Sequence, residues 1–398
     1  VCPMTNPWGP APERKRVLRN GEPAMWHFPL NPEALQQYMT AVQGYRSTYR
    51  KVLDKHFSES DPLDKMADRI WEGIHEVEVA FIDSLGPISV LGGKHYKTMN
   101  RYCDVTPLDV SVCDCPGVMQ YYNASHIRLA HGDQYVIGEA PQAHNVPRYA
   151  QLIAAYDIPA VVVVLREDDL FMQKIFPYWE KPLTVDGRVV VSSELKRVAQ
   201  LKDNLVSYTH DLRVRRHPTA QEYTHSVTFI VYSEWPDYEA PQGAGPLITA
   251  SVYANRLAAR HMEDPAVQAR CASYREAPGA EANVASRMRI PRMSMMHLFE
   301  ETDEEEGGYT CPIMSHCSAG LGRSSTFVAL SHLVPLVTGQ GIPPPTSLRH
   351  CVEMVMETVM ALRLQRNPSA IQSCPQFKFL LSSVVSEWRQ AQTDRETL

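Results

Sequence analysis

The sequence predicts a single α/β (or α+β) domain, in which a highly twisted mixed sheet is flanked by helices. Apolar residues recur at helical spacing over residues 31–85, short β-like runs begin near residue 90, and helical patterns return after residue 322. Strands bracketed by helical segments are typical of a sheet covered by helices. With 398 residues, of which 44% are hydrophobic and 21% charged, the chain can bury a large core.

Two helices are predicted after an extended, proline-rich arm over residues 1–30. Asn31-Pro32 places a capping side chain before a proline at the first helical position, and Ser60-Asp61-Pro62 repeats this signal. Apolar residues at helical spacing form one face of each helix, which we interpret as core packing. These faces consist of Leu35, Tyr38, Met39, Val42, Tyr45, Tyr49 and Val52, and of Leu63, Met66, Ile70, Ile74, Val77 and Phe81.

Strand signals occupy the middle of the chain. Residues 160–165 form an apolar, mostly β-branched run without polar alternation, as expected of a central strand buried on both faces. Asp186-Gly187 is a hairpin signal. Val227, Phe229 and Val231 alternate with other residues before Trp235, which predicts a further strand.

Residues 255–308 are predicted to be an insertion in this domain. The segment has parts rich in alanine and methionine, and an acidic run that extends from Glu300 to Glu306. We interpret the acidic run as a solvated loop. An electrostatic rim that recruits partners is the alternative interpretation.

Composition excludes several classes of function. A net charge of -6 gives no general attraction to nucleic acid, and the longest apolar run, residues 160–165, is too short to span a bilayer. The 9 cysteines are irregularly spaced, so we expect no disulfide framework and a reducing, cytoplasmic location. Cys113 and Cys115 have no second pair at zinc spacing, so we predict no metal there.

The segment from His316 to Ser324 is the most informative about chemistry. A predicted strand enters it and a predicted helix leaves it, and Gly320 and Gly322 allow backbone angles that point successive N–H groups at one centre. Such a nest at a helix N-terminus binds a dianion, and the planar fork of Arg323 matches two phosphate oxygens. The same positive field favours a thiolate at Cys317, which is then placed to attack phosphorus.

A loop carboxylate is the second chemical feature. Attack on phosphorus expels an oxygen leaving group, and a proton donor makes that group easier to expel. Asp237 follows Trp235-Pro236, a stiff and bulky hinge on which such a loop could close. The same carboxylate could then act as a base towards water. By itself the tripeptide is equally compatible with an ordinary turn.

Together these segments resemble the tyrosine-specific, cysteine-dependent protein tyrosine phosphatases. Residues 313–327 are similar to the signature loop of that family, residues 233–241 to its general-acid loop, residues 362–377 to its glutamine loop, and residues 99–109 to its Asn-Arg-Tyr segment. Bare Cys-x5-Arg spacing also occurs in dual-specificity and lipid phosphatases. Because four motifs occur in the order found in the family, the chain is identified as a divergent member over roughly residues 60–390. The resemblance implies one catalytic domain over residues 31–398.

The resemblance implies a role for each matching side chain. Cys317 would be the nucleophile and Asp237 the general acid and base, while Gln372 would orient the hydrolytic water. Arg323 and the loop amides would bind phosphate, and Ser324 would stabilise the departing thiolate. The loop is completed by Ser318, Ala319, Gly320, Leu321 and Gly322.

Further residues are expected to bind the substrate or support the site. Tyr102 would form one wall of a deep slot and stack on the substrate ring, and Asp104 would accept hydrogen bonds from the substrate backbone. Lys174 would line the substrate loop, and Gln376 would be a secondary contact. The remaining expectations are that Asp169 pairs with Arg323, that Trp235 supports the acid loop, and that His316 supports a low thiol pKa.

The expected activity is hydrolysis of phosphotyrosine through a cysteinyl phosphate, with no metal or cofactor. Expected partners are phosphotyrosine proteins or peptides, and oxyanions such as vanadate, tungstate and sulfate in the Cys317 loop. We expect a monomer that binds no nucleic acid. Two alternatives remain: a phosphotyrosine-binding module without turnover, and a lipid or dual-specificity phosphatase.

The chain also departs from the pattern of the family. Glu239 replaces the usual glycine after the aromatic residue of the acid loop, and Glu139 replaces a structural glutamine. Cys103 stands beside the slot tyrosine in place of a basic or polar residue, and Ser325 replaces a glycine past the loop arginine. None of these substitutions removes a catalytic group. They are expected to affect how the acid loop closes and which peptides are preferred.

Overall fold

The computed structural model describes residues 32–85, 99–108, 111–113, 121–276 and 311–397. The predicted arm over residues 1–30 and the part of the predicted insertion over residues 277–308 lie outside these ranges. The described part of that insertion, residues 255–276, is largely helical.

One mixed sheet of seven strands forms the centre of the described chain, which confirms the predicted fold class. The strands are β1 (Ala124–Arg128), β2 (Gln134–Gly138), β3 (Ala160–Val164), β4 (Val190–Lys202), β5 (Leu205–Val214), β6 (Tyr223–Tyr232) and β7 (Ile313–His316). Their order across the sheet is β1-β2-β7-β3-β6-β5-β4. Strands β2, β7, β3 and β6 are mutually parallel, whereas β1, β5 and β4 join by antiparallel pairing.

Helices cover this sheet. They are α1 (Pro32–His56), α2 (Leu63–Leu85), α3 (Val146–Ala155), α4 (Glu167–Phe171), α5 (Gly245–Met262), α6 (Pro265–Glu276), α7 (Arg323–Val337), α8 (Leu348–Gln365) and α9 (Cys374–Glu396). The predicted starts of α1 and α2 are confirmed to within a residue, because proline occupies or precedes the first turn. Within the described ranges, no helix is both long enough and apolar enough to cross a membrane.

Strand β3 shows why its sequence lacks polar alternation. Val162 and Val164 belong to the core cluster on one face of the sheet, whereas Val161, Val163 and Leu165 belong to the cluster on the other face. Side chains of a strand alternate between faces, and all of these are fully buried. The prediction of a central strand is confirmed.

The predicted hairpin at Asp186-Gly187 is wrong in position. The Asp186 carboxylate accepts hydrogen bonds from the N–H groups of Val189 and Val190, which makes a turn that leads into β4. The hairpin between β4 and β5 lies at residues 203–204 instead, where Asn204 adopts a φ of 57°. Asparagine tolerates this left-handed conformation better than most residues do.

The carboxyl ends of the parallel strands lie level with one another and define one edge of the sheet. His316 at the end of β7 is in register with Gly138 of β2 and with Val163 of β3, and Val164 of β3 is in register with Tyr232 of β6. Loops that follow such strand ends form the usual binding crevice of parallel sheets. The Cys317 loop and the Asp237 loop both leave from this edge.

Candidate active site

The loop between β7 and α7 can adopt this conformation only with glycine at position 320. Gly320 has a φ of +72°, and a Cβ atom there would lie 2.2 Å from the carbonyl oxygen of Gly138. The loop therefore packs directly against the backbone that leaves β2. Any larger residue would meet both the strained conformation and this contact.

Four successive carbonyl groups of the loop are held from outside. The oxygen of Ser318 accepts from the Ala140 N–H at 2.9 Å, and that of Leu321 accepts from the Ile371 N–H at 2.9 Å. Between them, Arg366 donates from Nη2 to Ala319 at 3.2 Å and from Nε to Gly320 at 2.9 Å. Because the carbonyl oxygens are bound to the scaffold, the loop N–H groups are left for an anion.

Arg323 is fully buried, and two of its nitrogens, Nε and Nη2, face the site. Its Nη1 donates to Asp169 at 2.5 Å and to the Trp235 carbonyl oxygen at 3.0 Å. Its Nε and Nη2 have no hydrogen-bond partner among the described residues. Asp169 and the Trp235 carbonyl group thus hold one side of the guanidinium group. The edge formed by Nε and Nη2, with the Asp237 carboxylate 3.3 Å from Nη2, faces the site and has the geometry that matches two phosphate oxygens.

Cys317 lies beneath this fork, with 3% of its surface exposed. Burial raises the pKa of the thiol, but the Arg323 charge and hydrogen bonds from the Ser324 side chain and N–H outweigh burial, so the pKa is lowered. The Ser324 oxygen is 3.5 Å from the Cys317 sulfur. The environment therefore favours a thiolate, the reactive form of cysteine.

His316 acts on the loop through its shape rather than through charge. Burial lowers the pKa of this imidazole to about 4, which leaves it neutral near pH 7. Its Nδ1 is 3.0 Å from the Cys317 carbonyl oxygen and must donate to it, while Nε2 is 2.6 Å from the Tyr178 hydroxyl and accepts from it. The ring connects the loop to the core, and Tyr178 supports the loop through this contact.

Asp237 reaches the same centre from the loop after β6. One carboxylate oxygen lies 3.3 Å from Arg323 Nη2, and the other lies 3.5 Å from Lys174 Nζ. The side chain is 30% exposed, so solvent can reach it. Asp237 and Lys174, predicted from separate motifs, are therefore neighbours.

The substitution at Glu239 does not disturb the base of the acid loop. The Trp235 indole donates to the main-chain oxygen of Glu239 at 2.7 Å, and the Glu239 side chain itself is exposed. The contact needs only a backbone carbonyl group, which glutamate supplies as well as glycine does.

Two glutamines close the far side of the loop. A Cβ atom on Gly322 would lie 2.9 Å from the Gln372 side-chain oxygen and 2.8 Å from the Gln376 side-chain nitrogen. The Gln372 N–H also donates to the Gln376 side chain at 3.0 Å. Gly322 therefore makes the space in which both amides lie against the phosphate-binding loop.

Tyr102 borders the loop on another side. Its hydroxyl is 2.7 Å from the Ser318 hydroxyl, and that hydroxyl is 3.2 Å from the Lys174 carbonyl oxygen. Asp104 and Cys103 are exposed, and Asp104 makes no contact that fixes a role for it. The hydroxyl end of Tyr102 thus lies against the phosphate-binding loop, and its stacking on a substrate ring stays a prediction.

Glu139 is a buried carboxyl group behind Tyr102. It accepts hydrogen bonds from the Arg101 N–H at 2.9 Å and from the Asn123 side chain at 3.3 Å, while its second oxygen has no partner among the described residues. Burial is the largest influence on it and raises the pKa of this carboxyl group to about 7, although Arg101, Arg366 and Asn123 oppose the shift. The glutamate at position 139 was evident from the sequence. The raised pKa of its carboxyl group depends on burial, which only the fold reveals.

Glu139→Gln is expected to change how stability depends on pH. The pKa of Glu139 is about 7 in the folded chain, whereas 4.5 is its ordinary value in an unfolded chain. Glu139 therefore contributes stability that is fully present below about pH 4.5 and is lost as pH rises through 7. The variant lacks this loss, and its free energy of unfolding should exceed that of the unmodified chain at pH ~8 by about 3 kcal/mol. Urea unfolding at pH ~5 and pH ~8 measures both values.

An exposed carboxylate provides the control for this comparison. Glu180→Gln, on the surface after Trp179, should leave the pH dependence of unfolding as it is in the unmodified chain. A Glu139→Gln chain whose stability changes with pH as steeply as the unmodified chain would contradict the assignment.

Comparison with known proteins gives consistent matches. The family model described as protein-tyrosine phosphatase matches residues 96–271 and 286–386. Mouse tyrosine-protein phosphatase non-receptor type 18 is 24% identical over 294 residues, covering 72% of this chain and 51% of the relative. Human receptor-type tyrosine-protein phosphatase alpha is 24% identical over 279 residues, covering 69% of this chain and 26% of the relative. The chain thus spans about half or less of the length of these relatives.

Solved structures agree on the fold. The catalytic domain of human protein tyrosine phosphatase non-receptor type 18 aligns with a TM-score of 0.57 at 19% identity, covering 87% of this chain and 99% of that domain. The same relative in complex with HER2-pY1248 phosphopeptides aligns with a TM-score of 0.55 at 21% identity, covering 80% of this chain and 98% of that chain.

Proposed function

The chain belongs to the protein-tyrosine phosphatase family, and from that premise we propose that it hydrolyses phosphotyrosine through a phosphoryl group carried on Cys317. One observation supports this proposal above the others. Arg323 directs its buried Nε and Nη2 at the site, where neither makes a hydrogen bond within the described residues, and the Asp237 carboxylate lies 3.3 Å from Nη2, beside a thiol whose pKa is lowered. A tetrahedral dianion is the ligand that would satisfy those donors and be attacked by that sulfur.

In the first step the Cys317 thiolate attacks phosphorus, and the bond from phosphorus to the tyrosine oxygen breaks. Asp237 gives its proton to that oxygen, so that neutral tyrosine leaves. The Nε and Nη2 groups of Arg323 and the N–H groups of the loop bind the three equatorial oxygens and stabilise their charge in the transition state.

In the second step water displaces the sulfur. Gln372 holds the water, Asp237 removes its proton, and the sulfur–phosphorus bond breaks to release inorganic phosphate. The Ser324 hydroxyl, 3.5 Å from the sulfur, donates a hydrogen bond to the thiolate as it departs. No step requires a metal ion, because Arg323 and the loop supply the positive field.

Selectivity for phosphotyrosine follows from the depth of the site. Cys317 is almost fully buried and Tyr102 stands at its wall, so the phosphorylated side chain must be long enough to reach the sulfur. A stacked aromatic ring would lie well against Tyr102. Phosphotyrosine peptides are therefore the proposed partners, and the complex of a relative with phosphopeptides supports this assignment.

Phosphate release from matched peptides tests the proposal. The same peptide carrying phosphotyrosine or phosphoserine should give rapid release from the first and little from the second, and vanadate should compete with the phosphotyrosine peptide. Comparable rates with phosphoserine or phosphoinositides would favour a dual-specificity or lipid phosphatase. Tight phosphotyrosine binding without release would favour a binding module.

We also propose that the protein works in a reducing compartment such as the cytoplasm. Cys317, Cys351 and Cys374 are free thiols, and an activated cysteine keeps its nucleophilic form only where thiols stay reduced.

A further inference from the structure

A second group of ionisable side chains lies at the opposite edge of the sheet from Cys317. Asp157 precedes β3, His225 lies near the start of β6, and His261 lies in the last turn of α5. Because β3 and β6 are parallel, this group is at their amino ends and the Cys317 loop is at the carboxyl edge. Five residues of strand separate the two edges by roughly 16 Å.

The three side chains converge on one point. One potential ligand atom of each lies within 4.8 Å of those of the other two. His225 Nδ1 and His261 Nε2 are buried, and neither has a hydrogen-bond partner among the described residues. His225 itself is 0% exposed, and a buried polar atom without a partner is costly.

A hydrogen bond from the His225 ring to the backbone determines which ring nitrogen can bind a metal ion. Its Nε2 is 2.8 Å from the Ile158 carbonyl oxygen and must donate to it. In the neutral ring Nδ1 then carries the lone pair, which is directed at the cluster. Histidine ligands of metal ions are typically held in this way, with one nitrogen donating to a backbone carbonyl group.

Asp157 is already engaged by two arginines. Arg216 Nη2 lies 2.6 Å from one carboxylate oxygen, and Arg270 Nε lies 3.1 Å from the other. A carboxylate has about four acceptor positions, so it can still offer a lone pair to a third partner. The two guanidinium charges oppose a cation, and we therefore expect weaker binding than at a zinc site closed by thiolates.

We propose that His225, His261 and Asp157 form a binding site for one divalent transition-metal ion of the zinc class. Two imidazoles and a carboxylate suit Zn²⁺, Co²⁺ or Ni²⁺, whereas Mg²⁺ and Ca²⁺ prefer oxygen ligands alone. Such an ion would fasten the end of α5 to β6 and to the turn before β3. It would stabilise the folded chain and take no part in catalysis.

Thermal unfolding of the full chain with added Zn²⁺ tests the site, with all proteins first stripped by a chelator. Zn²⁺ should raise the Tm of the unmodified chain, since an ion that binds only the folded state stabilises it. His261→Gln removes a half-buried ligand on a helix end, and it should weaken Zn²⁺ binding by roughly 100-fold or more. Mg²⁺ should have no comparable effect on either chain.

His210→Gln is the matched control. His210 is also fully buried, donates from Nε2 to the Trp179 carbonyl oxygen at 2.8 Å, and has an unpartnered Nδ1, but it is not part of the cluster. This variant should keep the Zn²⁺-dependent rise in Tm. If His210→Gln also lost the Zn²⁺-dependent rise in Tm, the loss in His261→Gln would reflect general damage to the fold. That result would overturn the proposal.

Cobalt absorption identifies the ligands directly. Co²⁺ at the proposed site should show visible d–d bands without the near-ultraviolet charge-transfer band of a cobalt thiolate, and His261→Gln should remove them. A thiolate band would place the ion on a cysteine such as Cys317, or on the Cys271–Cys311 pair, whose sulfurs are 3.6 Å apart. Three results would overturn the proposal. They are a thiolate charge-transfer band, d–d bands of equal intensity in His261→Gln and the unmodified chain, and no Co²⁺ binding by the unmodified chain.

Discussion

Cys317→Ser is expected to abolish phosphotyrosine hydrolysis, with a loss in kcat of roughly 10⁴-fold or more. A serine hydroxyl is not ionised by the field of Arg323 and the loop, so the attacking anion is lost. The phosphate-binding donors remain, because Arg323 is held by Asp169 and the Trp235 carbonyl oxygen rather than by the cysteine. Peptide binding measured by calorimetry should therefore persist while phosphate release stops.

Cys351→Ser is the control for this loss. Cys351 is fully buried in α8, away from the phosphate-binding loop, and its replacement should leave kcat close to that of the unmodified chain. Appreciable turnover by Cys317→Ser would show that another group is the nucleophile, and the two-step chemistry would then be wrong.

Asp237→Ala is expected to slow phosphotyrosine hydrolysis by about 10²–10⁴-fold. The variant can neither protonate the tyrosine oxygen nor deprotonate the water, but it retains the nucleophile and the phosphate site. The defect should shrink with an aryl phosphate whose leaving group is a weak base, because such a group departs without a proton. Steady-state rates for a phosphotyrosine peptide and for para-nitrophenyl phosphate measure the difference.

Asp168→Ala provides a matched change in a nearby carboxylate. Asp168 is exposed and lies 3.2 Å from Arg166, outside the phosphate site. Its replacement should alter neither rate substantially. If Asp237→Ala slows both substrates equally, the carboxylate positions Arg323 or Lys174, and it does not transfer a proton.

Local sequence was sufficient to predict two parts of the structure, the anion-binding loop and the central strand, because each is determined by residues that are adjacent in the chain. The glycines at 320 and 322, followed by Arg323, predict an anion-binding loop because few other sequences can fold so tightly. The apolar run at residues 160–165 predicts a strand buried on both faces, and β3 has that environment. The family and the order of its motifs came from resemblance rather than from periodicity.

Other features depend on contacts between residues that are distant in sequence, and such contacts cannot be predicted from local sequence. Arg366 binds two loop carbonyl groups from 46 and 47 residues away, although its motif showed only that an arginine is present. The raised pKa of Glu139 requires burial, and the cluster of Asp157, His225 and His261 requires two strands and a helix to meet. The misplaced hairpin has a local cause, since Asp186 uses its side chain to form a turn that resembles a hairpin in sequence.

The most direct test is to identify the residue that carries phosphate during turnover. The unmodified chain would be mixed with a radiolabelled phosphotyrosine peptide, quenched in denaturant within the first turnovers, and digested for mass spectrometry. Label on the peptide that contains Cys317, absent from the Cys317→Ser chain, is the predicted result. Label on a different residue, or rapid phosphate release by the Cys317→Ser chain, would contradict the account.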